Sequence, residues 1–182
     1  LRFTGEGEVF FRQARVGKDK VSFCLLKFAT MLKASEGIGA GTVTLKNDFR
    51  VLPFGKFLRK TKLNELPQLF NIFLGDMSVL GPRPLHNKQF SFYSFDDQNI
   101  IASTMPGLSE VGSIIFRDEE KILQNSNDPD NTYREAITPK KAALEKWYLK
   151  NKSIGLYFKL ILMTVIAIFL PSIDMKRFFT GL

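Results

Sequence analysis

The chain has 182 residues, 45% of them hydrophobic and 24% charged, the size and balance of one ordinary globular domain with enough apolar side chain to build a core. One cysteine and one histidine, Cys24 and His86, exclude an intrachain disulfide and the usual zinc ligand sets. The net charge of +8 arises near the start: residues 1–62 hold 13 Lys and Arg against 5 Asp and Glu, whereas residues 63–182 hold 13 of each, so an anionic partner is expected, be it nucleic acid, an acidic membrane surface or a phosphorylated substrate.

The chain begins with Leu1, and no basic start, apolar run and small-residue cleavage site follow; a start that was cut or lies upstream is expected. Residues 8–11 and 21–28 are rich in aromatic and branched side chains and flank Gly17-Lys18-Asp19-Lys20, which predicts a β-hairpin. Cys24, inside the apolar run from Phe23 to Leu26, is expected as a small buried filler. From Lys33 to Asn47 the chain is Gly-rich and weakly patterned, with Gly37, Gly39 and Gly41, and predicts a surface loop able to order over a ligand.

Asn64 is placed as a helix N-cap, with Pro67 in the first turn and Leu66, Leu69, Phe70 and Phe73 at helical spacing. Gly75 is expected to close that helix. Two prolines and two glycines within residues 75–85 predict a rigid loop that presents side chains. Asp128-Pro129-Asp130 reads as the cap of a helix through Tyr133, Ile137 and Ala142 toward Trp147, broken or kinked at Pro139.

Ile154 to Leu170 is apolar except for Lys159, Thr164 and small residues. A spanning helix needs about 20 apolar residues, and a run of about 10–14 suits an interfacial, re-entrant or core helix. Lys150, Lys152, Lys176 and Arg177 flank the run and would suit an anionic headgroup layer, so an interfacial helix over 154–170 is the preferred expectation. Burial in the core and a true span are the alternatives.

The densest chemistry lies in residues 54–85. Lys56, Arg59, Lys60 and Lys62 precede the expected helix start, where unpaired N–H groups favour phosphate or carboxylate. Glu65 in the first turn would stay ionised and could ligate Mg²⁺, which reaches diphosphates through one or two protein carboxylates. Arg83, held between two prolines, could grip a phosphate bidentately. The plainer alternative is that Glu65 complements the helix dipole and the lysines form a solvated face. No aromatic stacking platform or nucleic-acid motif accompanies the lysines, so nucleic acid is not an expected partner.

Leu-Asn-Glu-Leu-Pro-Gln-Leu at 63–69, Gly-Asp-Met-Ser at 75–78 and Gly-Pro-Arg-Pro at 81–84, in that order and spacing, closely resemble the signature of the bacterial sugar transferases, the small monotopic phosphoglycosyl transferases. The resemblance extends to Phe11–Gly17, Lys27–Met31, Asp48–Arg50, Phe54–Arg59 and Pro106–Leu108, and covers roughly residues 8–170. It implies transfer of a sugar 1-phosphate from a nucleotide diphosphate sugar, usually a UDP-sugar, to undecaprenyl phosphate, with release of UMP and need of Mg²⁺, as the initiating step of surface glycan synthesis.

The resemblance assigns Glu65, Asn64 and Arg59 to catalysis, Arg83, Lys27, Asp48, Arg50 and Arg117 to substrate binding, and Glu65 also to the metal. In the family an Asp-Glu dyad opens the helix, the Asp attacking the β-phosphate and the Glu holding the metal. Glu65 matches the Glu, but Asn64 stands at the Asp, and a neutral amide is a far poorer nucleophile than a carboxylate. Ala29 and Met105 likewise stand where basic residues are usual. A catalytically impaired paralogue that binds nucleotide sugar or carrier lipid in a polysaccharide-assembly complex is therefore the alternative function.

The expected architecture is a single helix-rich α/β domain over 1–182, a small N-terminal β-hairpin packed on helices. The family's N-terminal membrane-inserted hairpin is expected to be missing from it. The expected location is the cytoplasmic face of the bacterial inner membrane, and a homo-oligomer is an admissible assembly.

Overall fold

The computed structural model describes residues 1–2, 5–38, 48–116, 119–170, 173 and 178. The architecture is helix-rich α/β with a small antiparallel hairpin, as the sequence predicts. Strands β1 (Phe10–Val16) and β2 (Ser22–Phe28) pair antiparallel, with Phe11 opposite Lys27 and Ala14 opposite Cys24. Side chains alternate along a strand, so Leu25 points inward at 2% exposure while Cys24 is exposed. The expected buried filler at Cys24 is thereby corrected: the strand period, not the apolar run, decides its face.

Helix α1 (Pro53–Lys60) begins with Pro53 at its first turn, where the missing N–H costs nothing. It lies tight against the segment after β2, because a Cβ on Gly55 would stand 2.3 Å from the Thr30 carbonyl oxygen. Only glycine admits that approach.

The helix expected over 65–74 is shorter and differently started. A 3-10 turn, Leu63–Glu65, precedes α2 (Gln68–Phe73), and Asn64 makes no side-chain cap. Pro67 has no N–H to offer the Leu63 carbonyl, which accepts from Leu66 at 3.1 Å instead, and this holds the run in i→i+3 bonding. Gly75 ends the helix with φ +85, as expected of a left-handed terminator. Within α2, Asn71 is 1% exposed; its side-chain carbonyl accepts from Leu26 N at 3.0 Å and its amide donates to the Cys24 carbonyl at 2.8 Å. One side chain thus extends the β2 edge and ties α2 to the hairpin.

The rigid loop expected at 75–85 contains a strand. β3 (Ser78–Leu80) is followed by α3 (Asn87–Phe90), α4 (Phe95–Ala102) and β4 (Gly107–Ser109), and β3 pairs with β4 in parallel. Gly107 N donates to the Pro82 carbonyl at 2.8 Å, holding the Gly-Pro-Arg-Pro loop beside Pro106-Gly107.

The remaining elements are α5 (Val111–Ile115), α6 (Glu119–Gln124), α7 (Pro129–Thr132), α8 (Thr138–Lys150) and α9 (Ile154–Phe169). Asp128 caps α7, its Oδ1 accepting from Asn131 N at 3.0 Å. A π turn, Tyr133–Ile137, leads into α8, whose first turn holds Pro139; the expected break at proline is a wider turn followed by a fresh start.

One stripe of α9, Leu160, Met163 and Ala167, packs with Leu144, Tyr148, Val111, Ile114 and Leu80 as the main core. Thr164, a polar residue in this apolar run, donates to the Leu160 carbonyl at 2.8 Å and shares a 2.6 Å hydrogen bond with Ser109 Oγ on β4. The opposite stripe of α9 is also apolar yet exposed, with Phe158 65%, Leu162 59% and Phe169 76% exposed. No helix among the described residues is long and apolar enough to cross a membrane. The flanking Lys176 and Arg177, and residues 39–47 of the expected loop, lie outside the described residues.

Candidate active site

Between the hairpin, α1 and the Gly-Pro-Arg-Pro loop lies a cavity of about 310 Å³. The two-residue period of β1 turns Phe11, Gln13 and Arg15 toward it. β2 and the residues after it add Lys27, Ala29 and Thr30, and α1 with the following turn adds Arg59, Lys62, Asn64 and Glu65. Arg83, Glu119 and Tyr133 also line it, with Glu6, Glu8 and Lys33 at further points of the wall. Among the described residues its six basic lining side chains outnumber four acidic ones, which favours an anionic occupant.

At its centre Lys27 Nζ stands 3.6 Å from Glu65 Oε1, with 21% and 23% of the two side chains exposed. Burial drives the Lys27 ammonium down to about 8; Glu65 opposes this, while Arg83, Arg15 and Arg59 add to it by repulsion. For Glu65 burial works upward, but Lys27, Arg83 and Lys62 outweigh it, so the carboxyl lies below its ordinary range and is ionised. Arg83 loses to burial but gains more from Glu110, Glu65 and Glu119, which hold it protonated.

Of the residues expected at the site, Lys27, Arg59, Asn64, Glu65 and Arg83 meet in this cavity. Lys56 and Lys60 do not; both are exposed on α1. Since α2 has six residues, the positive field comes from side chains of several elements and not from a long helix dipole, which corrects the expected origin of the anion attraction. Asn64 is 7% exposed and its Oδ1 has no hydrogen-bond partner.

Asp48 and Arg50, expected to bind substrate, do not line the cavity. Arg50 is 1% exposed and forms a two-pronged pair with Asp48, Nε to Oδ1 at 2.8 Å and Nη2 to Oδ2 at 2.5 Å. Its Nη1 donates to the carbonyls of Ser35 and Ile38 at 2.6 and 2.9 Å. A guanidinium so engaged pins the 35–38 segment, the role its fork geometry suits. Arg117 lies outside the described residues.

The cavity also contains residues that the sequence did not single out for chemistry: Arg15, Glu119 and Tyr133. Arg15 Nη1 donates to the Pro84 carbonyl at 3.3 Å. The strand alternation of Phe11, Gln13 and Arg15 was a signal for the first; nothing local marks the other two.

Among the described residues no group of three or more His, Cys, Asp or Glu could hold a metal. The oxygens of Glu65 and the unpartnered Oδ1 of Asn64 are hard donors of the kind Mg²⁺ accepts alongside substrate phosphates, so the residues present fit that ion.

The family model "Bacterial sugar transferase" matches residues 1–171. The chain belongs to the bacterial sugar transferase family. Among individual relatives, it is 33% identical over 170 residues to a UDP-glucose:undecaprenyl-phosphate glucose-1-phosphate transferase of Klebsiella pneumoniae, covering 91% of this chain and 33% of that protein. It is 30% identical over 171 residues to an undecaprenyl-phosphate galactose phosphotransferase of Salmonella typhimurium, covering 84% of this chain and 32% of that protein. The match to the exopolysaccharide production protein ExoY of Rhizobium meliloti is 35% over 133 residues, covering 65% of this chain and 58% of that protein. The chain thus spans about a third of the length of the first two relatives. In this sugar transferase domain Asn64 and Glu65 line the same cavity as Lys27, Arg59 and Arg83.

Proposed function

We propose that this chain transfers a sugar 1-phosphate from a UDP-sugar to undecaprenyl phosphate, releasing UMP, as a polyprenyl-phosphate phosphoglycosyl transferase that initiates surface glycan synthesis. The observation that carries the reading is the ionised Glu65, 3.6 Å from Lys27, inside a basic cavity of about 310 Å³ that also takes in Arg59 and Arg83. The family membership and the names of the relatives, which act on UDP-glucose or on undecaprenyl phosphate, support it.

Arg83 and Arg59 neutralise the diphosphate, and Lys27 keeps Glu65 ionised and faces the charge that develops on the leaving UMP. Glu65, together with the unpartnered Oδ1 of Asn64, would hold Mg²⁺, which would supply further neutralisation of the phosphates. Since the Asn64 amide is a poor nucleophile, an oxygen of the carrier phosphate attacks the β-phosphorus directly. The new P–O bond joins carrier to sugar phosphate, the α–β anhydride bond breaks, and UMP leaves with its electron pair. UMP release from a panel of UDP-sugars with undecaprenyl phosphate and Mg²⁺ tests the reading; no release from any of them removes it. A trapped phosphosugar adduct on Glu65 would replace direct attack by a covalent route.

The carrier is a lipid, and the protein offers apolar side chains to a membrane. On α2 and the turn before it Leu66, Leu69, Phe70, Phe73 and Leu74 are 47 to 87% exposed, close in sequence to Glu65. These side chains, and separately the outer stripe of α9, are the apolar surfaces offered to the interface of the bacterial inner membrane, on its cytoplasmic face.

Asn64 favours one second reading, a binding paralogue with impaired chemistry. It expects UDP-sugar binding without UMP release, and release restored by Asn64→Asp. Turnover by the unaltered chain would exclude it.

A further inference from the structure

Behind the cavity wall lies a group of ionisable side chains that the proposed reaction does not use. Glu110, between β4 and α5, has a side chain 4% exposed, and its Oε1 stands 3.8 Å from both Arg83 Nη1 and Lys141 Nζ. Ser113 Oγ donates to the same oxygen at 2.6 Å. Lys141 continues to Glu119 Oε2 at 2.6 Å. The run Glu119, Lys141, Glu110, Arg83 therefore leaves the cavity through one lining residue and returns through another.

Glu145, one turn beyond Lys141 on α8, is 3% exposed, and its carboxyl lies within hydrogen-bonding reach of Glu110. Burial, and then repulsion from Glu110, push its carboxyl well above the ordinary range, so it stays neutral. Two cations then face two carboxylates, the balance that a site of low dielectric requires.

Pro82 and Pro84 fix Arg83 at its backbone but not its side chain, whose one ion pair among the described residues is the 3.8 Å contact with Glu110. Its long side chain is 41% exposed and has much rotamer freedom to lose. A carboxylate at 3.8 Å is within ion-pair reach but beyond hydrogen-bond length, so it attracts the guanidinium without consuming the N–H groups a phosphate would take.

We infer that Glu110 is a positioning residue for Arg83: its buried carboxylate, oriented by Ser113 and Lys141, holds the guanidinium at the cavity wall for a phosphate of the nucleotide. The inference rests on the reading that Arg83 binds the diphosphate. Replacement of Glu110 leaves that reading intact but lets Arg83 wander, and leaves Lys141 with one carboxylate fewer.

The experiment is calorimetric titration of the full-length protein with UDP and Mg²⁺, for the wild type, Glu110→Gln, Arg83→Gln and the double variant. Glu110→Gln is expected to weaken UDP about tenfold and to add nothing in the Arg83→Gln background, the signature of one residue acting through another. Losses that add in full would overturn the inference, for Glu110 would then act elsewhere. UDP affinity unchanged by Arg83→Gln would overturn both the inference and the assignment of Arg83 itself. Should Glu110→Gln fail to fold, Ser113→Ala removes only the donor to Glu110; it is expected to weaken UDP about threefold while the melting temperature falls by only a few degrees, and unchanged affinity would refute the positioning role. Glu145→Gln, neutral for neutral, is expected to leave UDP affinity unaltered, and a loss equal to that of Glu110→Gln would reduce Glu110 to a general packing role.

Discussion

Lys27 Nζ stands 3.6 Å from Glu65 Oε1, an ion pair that joins the second strand of the hairpin to the turn after α1. Each group decides the other's charge: Lys27 is the largest influence holding the Glu65 carboxyl down against burial, and Glu65 is the one holding the Lys27 ammonium up. Replacing Glu65 by Gln leaves Lys27 among Arg83, Arg15 and Arg59 without the carboxylate that raises it and removes the anionic oxygen that the proposed reaction would offer to Mg²⁺. UMP release by Glu65→Gln is expected to fall about 100-fold or more. Turnover within a few-fold of wild type would remove Glu65 from the mechanism.

Asn71 makes hydrogen bonds to Leu26 N and to the Cys24 carbonyl from a fully buried position. Asn71→Ala orphans both backbone groups at the strand edge, at a cost of about 2–4 kcal/mol. At about 2–4 °C per kcal/mol for a chain of this length, thermal denaturation should show the midpoint lowered by several degrees, while Asn71→Asp should restore only the bond from Leu26 N.

Glu145 gives a pH dependence whose sign is fixed. Its carboxyl is raised in the folded protein by burial and by Glu110. Unfolded, it loses its proton in the ordinary carboxylate range. Between the two pKa values the folded state binds the extra proton, so stability from this group is complete below the unfolded pKa and declines as pH rises through the folded one. Glu145→Gln lacks this decline. Its melting temperature relative to wild type should improve steadily as pH rises from about 4 through neutrality; parallel curves would show that Glu145 is not held neutral.

Phe70 and Phe73 are 61% and 87% exposed, so little stability depends on them. Burial of a phenyl side chain contributes about 1.5–3 kcal/mol. The pair Phe70→Ser and Phe73→Ser should lower partition onto phosphatidylethanolamine and phosphatidylglycerol vesicles at least about tenfold at an unchanged melting temperature. Equal partition in a flotation assay would mean that α2 faces water.

Much of this protein is legible from sequence where the cause is local. Strand alternation and the Gly17–Lys20 connection specified the hairpin, Gly75 ended α2, Asp128 capped α7, and an apolar run gave α9; each depends on residues within one turn or strand. The order of the 63–84 motifs was enough to mark Asn64, Glu65 and Arg83. What only the tertiary structure decided is which charges meet. Asp48 and Arg50 carry the same charges as Glu65 and Arg83, yet one pair saturates itself and pins a loop while the other faces a cavity. The parallel pairing of Ser78 with Gly107 and the Glu110–Lys141–Glu119 run join segments far apart in the chain. Coulomb energy and burial depend on distance through space, and no spacing along the sequence encodes that distance until the chain is folded.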